Sequence, residues 1–322
     1  MLTQGSDVGG YDVVTLEWLE RAGAVCEPGE RRRVERTAPG ELARLGFGYG
    51  ERERVQLCAD LIAWLFVFDD RFADGDLRHR PAELAALHAR LSAVLRLEPI
   101  VPKGPIEACL QQLFMRFRQH APLHWVARLG RSVQLYFDGC ERETACRARG
   151  GQCTLDEYLS LRLLSVGVYP MLDLVELAQG AFVSEAEVQA PKVAAARRAA
   201  TLSTAMTNDL YSARKEAQED QSFNAVLVAA RAEGLSFEAA FERITVLQRE
   251  FHARFAALEA ELISGGCSAE LRAFMRGAYQ WMEGNRQWSS RCARYNQLDT
   301  VGEFTLRPPP SAPRPPHRSA PR

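Results

Sequence analysis

Long hydrophobic stretches are absent from this sequence of 322 residues. The longest uninterrupted apolar run extends from Leu61 to Phe68. It is much shorter than the roughly 20 apolar residues that a membrane-spanning helix needs. We therefore expect no membrane anchor. The start of the sequence does not resemble a secretory signal, so we predict a reducing, cytoplasmic location.

A large excess of charge of either sign is also lacking. The chain has 40 basic and 41 acidic residues, for a formal net charge of -1. Nucleic-acid-binding proteins usually carry a basic stripe or patch. The one short basic run here, Arg31 to Arg33, is typical of a solvated surface cluster. We therefore do not expect nucleic acid as a partner.

Paired cysteines are missing as well. None of the eight cysteines forms a CxxC pair, which leaves zinc-ribbon and thiol-redox motifs without support. No segment shows the sustained alternation of apolar and polar residues that marks a half-buried strand, and no internal repeat recurs at a fixed period. These absences argue against an α/β sheet and against a repeat architecture.

Helical periodicity is what the sequence has instead. Apolar residues recur at three- and four-residue spacing in seven stretches, separated by glycine, proline and serine breakers. This pattern predicts an all-α bundle of roughly ten or more helices. The stretches are Val55 to Phe72, Ala82 to Leu95, Ile106 to Cys140, Leu155 to Leu177, Val188 to Glu216, Phe237 to Leu262 and Ala269 to Tyr295. Gly46 to Gly50 looks like a loop between helices.

The two ends of the chain differ from its body. Residues 307–322 read RPPPSAPRPPHRSAPR, a composition with too little apolar surface to fold alone. We predict one helical domain over residues 1–306 and a disordered proline-rich tail over 307–322. The first ten residues are also expected to be loose.

An aspartate cluster follows the most apolar of these helices. Asp69 and Asp70 come directly after it, and Asp74 lies one helical turn further on. Carboxylates at this spacing can converge on one point. Their repulsion near a helix C-terminus calls for a nearby positive charge, and Mg²⁺ commonly binds one or two carboxylates together with substrate phosphates. Without other evidence, a solvated acidic helix end is an equally good interpretation.

A second polar set lies on a later helix. Asn208, Ser212 and Glu216 are four residues apart, which places three oxygen ligands along one helix face. An amide oxygen, a hydroxyl and a carboxylate form a suitable set for a hard cation. Lys215, next to Glu216, can reach a phosphate oxygen. The alternative interpretation is an exposed polar face.

The two sets together resemble the metal-binding motifs of class I terpene synthases. Asp69-Asp70-x-x-x-Asp74 resembles their aspartate-rich motif. Asn208-x-x-x-Ser212-x-x-x-Glu216, with Lys215 before the glutamate, is similar to their second magnesium motif. The order and separation of the two motifs also fit microbial members of the family. The resemblance spans roughly Tyr11 to Tyr295.

Two further segments agree with this resemblance. Arg162 resembles the arginine that senses the diphosphate, and Ser165, Val166 and Gly167 correspond to the helix break that follows it in the family. Gly167 weakens an apolar helix locally, which by itself favours a kink. Arg294-Tyr295 resembles the C-terminal pair that hydrogen-bonds the diphosphate. Trp288, about two turns earlier, resembles a pocket residue.

The resemblance implies an enzyme with the class I terpenoid synthase fold that ionises and cyclises a linear prenyl diphosphate, most often farnesyl diphosphate. Three Mg²⁺ ions would be bound by Asp69, Asp70, Asp74, Asn208, Ser212 and Glu216. The diphosphate would be bound by Arg162, Lys215, Arg294 and Tyr295, of which the arginines and the tyrosine are the predicted catalytic residues. The hydrocarbon pocket would include Leu65, Phe66, Ser165, Val166, Gly167 and Trp288, with Phe47, Tyr49, Tyr169 and Trp281 as further candidate walls.

Several alternatives remain open at this point. The enzyme can act on geranyl or geranylgeranyl diphosphate and form mono- or diterpenes. A chain-elongating synthase would need a second aspartate-rich motif, and a head-to-head synthase would need paired DxxxD strings. A catalytically inactive helical protein that binds isoprenoids or a partner protein is a different class altogether. We predict a monomer or a homodimer.

Overall fold

The computed structural model describes residues 10–149, 151–218 and 223–295, except for the side chain of Asp74. These residues form fourteen α-helices and one π-helical segment, Asp69–Asp76, and contain no strand. The predicted all-α fold is confirmed. The helices are α1 (Gly10–Arg21), α2 (Pro28–Thr37), α3 (Pro39–Phe47), α4 (Arg52–Phe68), α5 (Pro81–Leu95), α6 (Pro105–His120), α7 (Leu123–Ala148), α8 (Leu155–Ser165), α9 (Val168–Gln179), α10 (Glu185–Gln189), α11 (Pro191–Gln218), α12 (Ala225–Glu233), α13 (Phe237–Ser264) and α14 (Ala269–Arg291).

Two of the predicted helices are each divided in the structure. The stretch Ile106 to Cys140 breaks between α6 and α7, and the stretch Val188 to Glu216 breaks between α10 and α11. The breaks fall at Ala121 and Ala190, each of which precedes a proline and has extended ψ angles of 152° and 135°. The ring of a following proline clashes with an α-helical residue before it. The prediction of single helices was therefore wrong at these two points.

The helix that leads into the aspartates also differs from its prediction. It was expected to run to Phe72, but α4 ends at Phe68 and the π-helical segment follows. In a π-helix the backbone hydrogen bonds join residues five apart, and single π-helical turns are frequent at functional sites. The α-helical spacing that aligns Asp70 with Asp74 does not apply here. The side chain of Asp74 lies outside the described residues.

The predicted kink at Gly167 is confirmed. Helix α8 ends at Ser165 and α9 begins at Val168, and Gly167 between them has a φ of 70°. Residues with a side chain rarely adopt this left-handed backbone conformation, whereas glycine adopts it freely. Helix α7 also packs closely against the kink. Its Gly139 lies so near that an added Cβ would be 2.4 Å from the backbone nitrogen of Ser165.

Two groups of buried apolar residues form the core. The larger one includes residues of every helix from α1 through α7 and of α9, α11, α13 and α14. The smaller one includes residues from the end of α7 and from α8, α11, α12 and α13. Helix α14 packs on α3, and α11 packs on α13. Residues of both groups surround a cavity, which brings the ends of α4, α8, α11 and α14 together.

The predictions about the two ends of the chain fall almost entirely outside the described residues. The expected domain boundary at residue 306, the proline-rich tail over 307–322 and nearly all of the first ten residues lie outside the described residues. Within the described ranges, every helix is too short or too polar to cross a membrane.

Close contact between α3 and α14 depends on a glycine. A Cβ at Gly284 would lie 2.6–2.7 Å from the backbone of Leu45 and Gly46, which cannot rotate away. We expect Gly284→Ala to lower the free energy of unfolding by about 1–3 kcal/mol, as overpacking usually does. Gly29→Ala is the control, because its Cβ meets nothing within 4 Å. Urea denaturation should show unchanged or slightly increased stability for this control. Equal stabilities for the two variants would contradict the packing argument.

Candidate active site

A cavity of about 410 Å³ opens where the two cores meet. Apart from three of the four further wall candidates, it is lined by every predicted site residue whose side chain is described, so the structure brings together residues that are far apart in sequence. They are Leu65, Phe66, Asp69, Asp70, Arg162, Ser165, Val166, Gly167, Asn208, Ser212, Lys215, Glu216, Trp288, Arg294 and Tyr295.

On one side of the cavity, the aspartates at the end of α4 have protein partners. Asp70 accepts two hydrogen bonds from the guanidinium of Arg294, at 3.0 and 2.8 Å. The hydroxyl of Tyr136 donates to Asp69 Oδ1 at 3.1 Å. Burial acts to lower the pKa of Arg294, but the facing Asp70 carboxylate outweighs it and raises the pKa above its usual value. Arg294 is therefore a permanent cation at this side.

On the other side, α11 presents the three predicted oxygen ligands on one face. The amide nitrogen of Asn224 donates to Ser212 Oγ at 3.2 Å and to Glu216 Oε2 at 2.9 Å. Burial, together with the nearby Asp209, raises the pKa of Glu216 to about 7. A carboxyl with such a perturbed pKa on a cavity wall is a frequent property of functional sites.

Asp209, which the sequence analysis did not single out, orders this side of the cavity. Its carboxylate is 1% exposed and accepts hydrogen bonds from the Tyr158 hydroxyl, from Arg162 Nε at 3.1 Å and from the Ala225 backbone nitrogen at 3.2 Å. Arg162 also donates to Asn208 Oδ1 at 2.7 Å. Asp209 thus fixes the arginine that faces the cavity. Its place beside Asn208 in the sequence was the only available signal.

The predicted diphosphate-binding groups and metal ligands are paired with one another. Besides the pairs that Arg294 makes with Asp70 and Arg162 makes with Asn208, the Asn208 amide donates to the Tyr295 hydroxyl at 2.6 Å. Opposite charges and complementary polar groups therefore satisfy each other across the cavity. This arrangement pairs Arg294 with Asp70 and Arg162 with Asn208 and Asp209.

An aromatic wall lies beside these polar groups. Phe66 packs on Trp288 with their ring centroids 5.7 Å apart, and Arg294 lies 5.2 Å above the Phe66 ring. The rings of Tyr295 and Trp288 form a T-shaped contact with their centroids 5.7 Å apart. The indole nitrogen of Trp288 donates to the Thr37 carbonyl at 2.8 Å, which fixes the ring. The wall is rigid and directly joins the apolar and charged parts of the cavity.

Three of the four further wall candidates are not among the residues that line the cavity, whereas Trp281 is. Phe47 ends α3 and is fully buried against Trp281, with ring centroids 5.0 Å apart. Tyr49 is 38% exposed, and Tyr169 packs under Arg197. These three candidates therefore do not line the cavity, because tertiary packing rather than local sequence determines where a lone aromatic ring points.

The donor set fits a hard divalent cation. Within the described residues, no three His, Cys, Asp or Glu side chains lie close enough to form a metal site by themselves. Carboxylates from the π-helical segment after α4 and amide, hydroxyl and carboxylate oxygens from α11 nevertheless line one cavity. Magnesium keeps several waters and uses few protein carboxylates together with phosphates, so a sparse oxygen set of this kind suits it.

Comparison with known proteins places the chain in a family. A family model described as terpene synthase family 2, C-terminal metal binding, matches residues 60–253. A (+)-T-muurolol synthase ((2E,6E)-farnesyl diphosphate cyclizing) from Roseiflexus castenholzii is 29% identical, with 92% of this chain and 91% of that protein covered. A 10-epi-cubebol synthase from Sorangium cellulosum is 28% identical, with 88% and 91% covered.

A solved structure agrees in fold. The SVS_A2 protein from ancestral sequence reconstruction superposes with a TM-score of 0.83 at 27% identity, covering 96% of this chain and 92% of that one. The matched family region includes both aspartates at the end of α4 and the whole polar face of α11. The chain therefore belongs to terpene synthase family 2 and is a microbial-type class I terpene synthase, an enzyme that uses a divalent metal and a prenyl diphosphate substrate.

Proposed function

We propose that this enzyme ionises farnesyl diphosphate in a magnesium-dependent reaction and cyclises the resulting cation to a sesquiterpene, with release of diphosphate. The observation that supports this best is the single cavity where Asp69 and Asp70 face the polar edge of α11 beside an aromatic wall. Such a cavity offers an anion-binding end and an apolar end to one extended substrate. The printed name of the Roseiflexus castenholzii relative, which specifies farnesyl diphosphate, supports the chain length.

We propose Asp69, Asp70, Asp74, Asn208, Ser212 and Glu216 as the metal ligands. Bound magnesium, of which we expect three ions, supplies Lewis-acid stabilisation to the oxygens of the leaving diphosphate. Asp69 and Asp70 approach from the end of α4, and the other described ligands approach from α11, so the two sets can hold the leaving group from opposite sides. Asn224 orients two of the α11 ligands through its amide.

The leaving diphosphate is bound by the chain's own donors in this proposal. Arg162 and Arg294 have planar guanidinium groups, which can each donate two hydrogen bonds to one phosphoryl group. Lys215 contributes a point charge, and Tyr295 contributes a hydroxyl. These groups stabilise the negative charge that develops as the carbon–oxygen bond breaks, which is usually the dominant catalytic effect.

The apolar end of the cavity guides the cation. Leu65, Phe66 and Trp288 exclude bulk water, which would otherwise capture the cation before cyclisation. The faces of Phe66 and Trp288 also stabilise positive charge through their quadrupoles. Val166 and Gly167, at the break between α8 and α9, also line this cavity.

The decisive experiment is incubation of the purified protein with geranyl, farnesyl and geranylgeranyl diphosphate, with and without magnesium. Products are extracted into pentane and identified by gas chromatography–mass spectrometry. A cyclic C15 product that forms only with magnesium supports the proposal. A product from only the C10 or C20 substrate moves the assignment to a mono- or diterpene synthase, and no product from any substrate overturns it.

Ligand binding offers a test that needs no turnover. At about a hundred times the dissociation constant, a ligand specific to the native state stabilises it by about 2.7 kcal/mol. We expect magnesium and diphosphate together to raise the melting temperature by several degrees. Calcium with diphosphate is the control for nonspecific ionic effects. A melting temperature that does not respond to magnesium with diphosphate would contradict the metal and diphosphate assignments.

Phe66 is expected to influence which product forms. Phe66→Ala removes the ring that lies between Arg294 and Trp288, so the cation can fold differently. We expect a changed product mixture, with new compounds making up at least about a tenth of the total. Phe72→Ala, on the π-helical segment and outside the cavity lining, is the control. An identical product profile at reduced rate would show that Phe66 serves only in packing.

A further inference from the structure

Helix α2 carries three consecutive arginines, and the structure gives each of them different surroundings. Arg31 pairs with Glu20 of α1 and with Glu35 of α2. Arg32 and Arg33 are both exposed, but Arg33 lines the active-site cavity and Arg32 does not. The sequence favoured one solvated surface cluster for the whole run. Arg33 therefore has a position at the cavity that its two neighbours lack.

Contacts at both ends of α2 explain this position. Near the start of the helix, Glu30 pairs with Arg71 of the π-helical segment. At its end, the Thr37 carbonyl accepts a hydrogen bond from the indole of Trp288 on α14. Glu30, Arg33 and Thr37 follow one another at spacings of three and four residues, which places them on one face of the helix. Arg33 therefore lies between the two elements that α2 joins.

These elements are the ones that carry the predicted diphosphate end of the cavity. Arg71 directly follows Asp70 in the sequence. Cys292, whose thiol donates to a backbone carbonyl at the end of α2 at 3.2 Å, lies two residues before Arg294. Asp70 and Arg294 are joined to each other by two hydrogen bonds. The α2 face that carries Arg33 therefore borders this pair.

Arg33 also differs from the other arginines of the cavity in its partners. Each of those three faces a carboxylate of the protein, in the pairs Arg147 with Glu143, Arg162 with Asp209 and Arg294 with Asp70. The Arg33 side chain forms neither an ion pair nor a hydrogen bond with any residue that the structure describes. Its guanidinium can therefore bind an anion without first giving up a carboxylate.

We propose that Arg33 binds the diphosphate group of the substrate at the mouth of the cavity. This inference rests on the proposed function, because it requires a prenyl diphosphate in this cavity. A planar guanidinium can donate two hydrogen bonds to one phosphoryl group. Arg162 and Arg294 must each exchange a protein partner for a phosphate oxygen, whereas Arg33 forms its hydrogen bonds as the substrate enters. Arg33 thus contributes affinity for the substrate, and the paired arginines stabilise the leaving group.

Steady-state kinetics with the prenyl diphosphate that the wild type converts tests this role. We expect Arg33→Gln to raise KM about tenfold, a typical effect of losing a hydrogen bond to a charged group. The value of kcat should stay within about threefold of wild type, because a contact made equally in the ground and transition states affects KM alone. Arg33→Lys keeps the charge but not the planar fork, so its KM should be intermediate. Arg32→Gln, which removes an exposed charge outside the cavity, is the matched control.

A second measurement needs no turnover. Magnesium with inorganic diphosphate should raise the melting temperature of Arg33→Gln less than that of the wild type or of Arg32→Gln, because weaker binding stabilises the native state less. Without ligands, the three proteins should melt at nearly the same temperature, since both arginines are exposed. A lower melting shift in Arg33→Gln alone supports a direct contact with diphosphate.

The outcomes separate this inference from the function on which it rests. An unchanged KM and an unchanged melting shift in Arg33→Gln would overturn the inference, while the cyclase assignment stands. Equal effects of Arg33→Gln and Arg32→Gln would overturn it as well, because they would report only the charge of the surface. If the wild type converts no prenyl diphosphate, the proposed function fails. The melting shift with magnesium and diphosphate then still decides whether Arg33 binds this anion.

Discussion

Asn208→Ala and Glu216→Gln are each expected to lower the turnover of a prenyl diphosphate more than about 100-fold. Even substitution of a residue that only orients a metal ligand typically lowers activity or metal affinity by about 10–100-fold, and these two residues are the proposed ligands themselves. The helical circular dichroism spectrum should not change, because neither side chain belongs to the apolar cores. The stabilisation by magnesium with diphosphate should be lost together with turnover.

Arg214→Ala provides the matched control for these variants. Arg214 lies between Ser212 and Glu216 in the sequence, but it is exposed and does not line the cavity. Its removal should leave both turnover and the ligand-induced melting shift near the wild-type values. Full turnover in Asn208→Ala or in Glu216→Gln would refute the assignment of that residue as a metal ligand.

Arg128→Met should destabilise the protein by about 3–5 kcal/mol, the usual effect of removing one partner of a buried ion pair. Arg128 is 4% exposed and donates to Glu176, to Glu185 and to the Val183 carbonyl. Glu176 and Asp173 are both fully buried beside it. Without the guanidinium, the Glu176 carboxylate would remain in the core, where the Val183 backbone nitrogen is its remaining hydrogen-bond donor within the described residues.

The pH dependence of this effect has a defined sign. Burial and the neighbouring Asp173 raise the pKa of Glu176 to about 7, even though Arg128 acts to lower it. A carboxyl with a raised native pKa binds its proton more tightly in the folded state, so stability falls as pH rises from about 4.5 to about 7. Removing Arg128 raises this pKa further. The loss in Arg128→Met should therefore be larger at pH 8 than at pH 5.

Urea denaturation at the two pH values tests both points. Arg131→Met is the control, because Arg131 also pairs with Glu185 but has a side chain that is 59% exposed. Surface ion pairs contribute about 0–1 kcal/mol. Equal destabilisation by the two substitutions would show that burial of the Arg128 pair is energetically unimportant.

The polar residues that support the site mark the limit of prediction from sequence. Asn208, Ser212 and Glu216 are recognisable because their spacing repeats the turn of an α-helix, and Asp69 and Asp70 because they belong to a string that resembles a family motif. Asp209, Asn224 and Tyr136 carry no such pattern, because their partners come from other helices through tertiary contacts. Periodicity reports which face of a helix is buried, but it does not report what lies opposite.

The helix boundaries illustrate a different limit. The breaks at Ala121 and Ala190 were available from the sequence, since a proline follows each residue. The change from α to π geometry after Phe68 could not be predicted from the sequence, because the same residues are compatible with either hydrogen-bond pattern until packing selects one. The fold class therefore follows from sequence, whereas the local backbone at the aspartates depends on the tertiary structure.

The mutual pairing of charges across the cavity has a consequence for the order of binding. A metal ion alone would have to compete with Arg294 for Asp70, and diphosphate alone would have to compete with Asp70 for Arg294. When both ligands are present, Asp70 exchanges the Arg294 cation for the metal cation, and Arg294 exchanges the Asp70 carboxylate for the diphosphate anion. Binding of the two should be cooperative, and each should raise the affinity of the other by the same factor. An enzyme built in this way commits to ionisation only when its complete set of ligands is present.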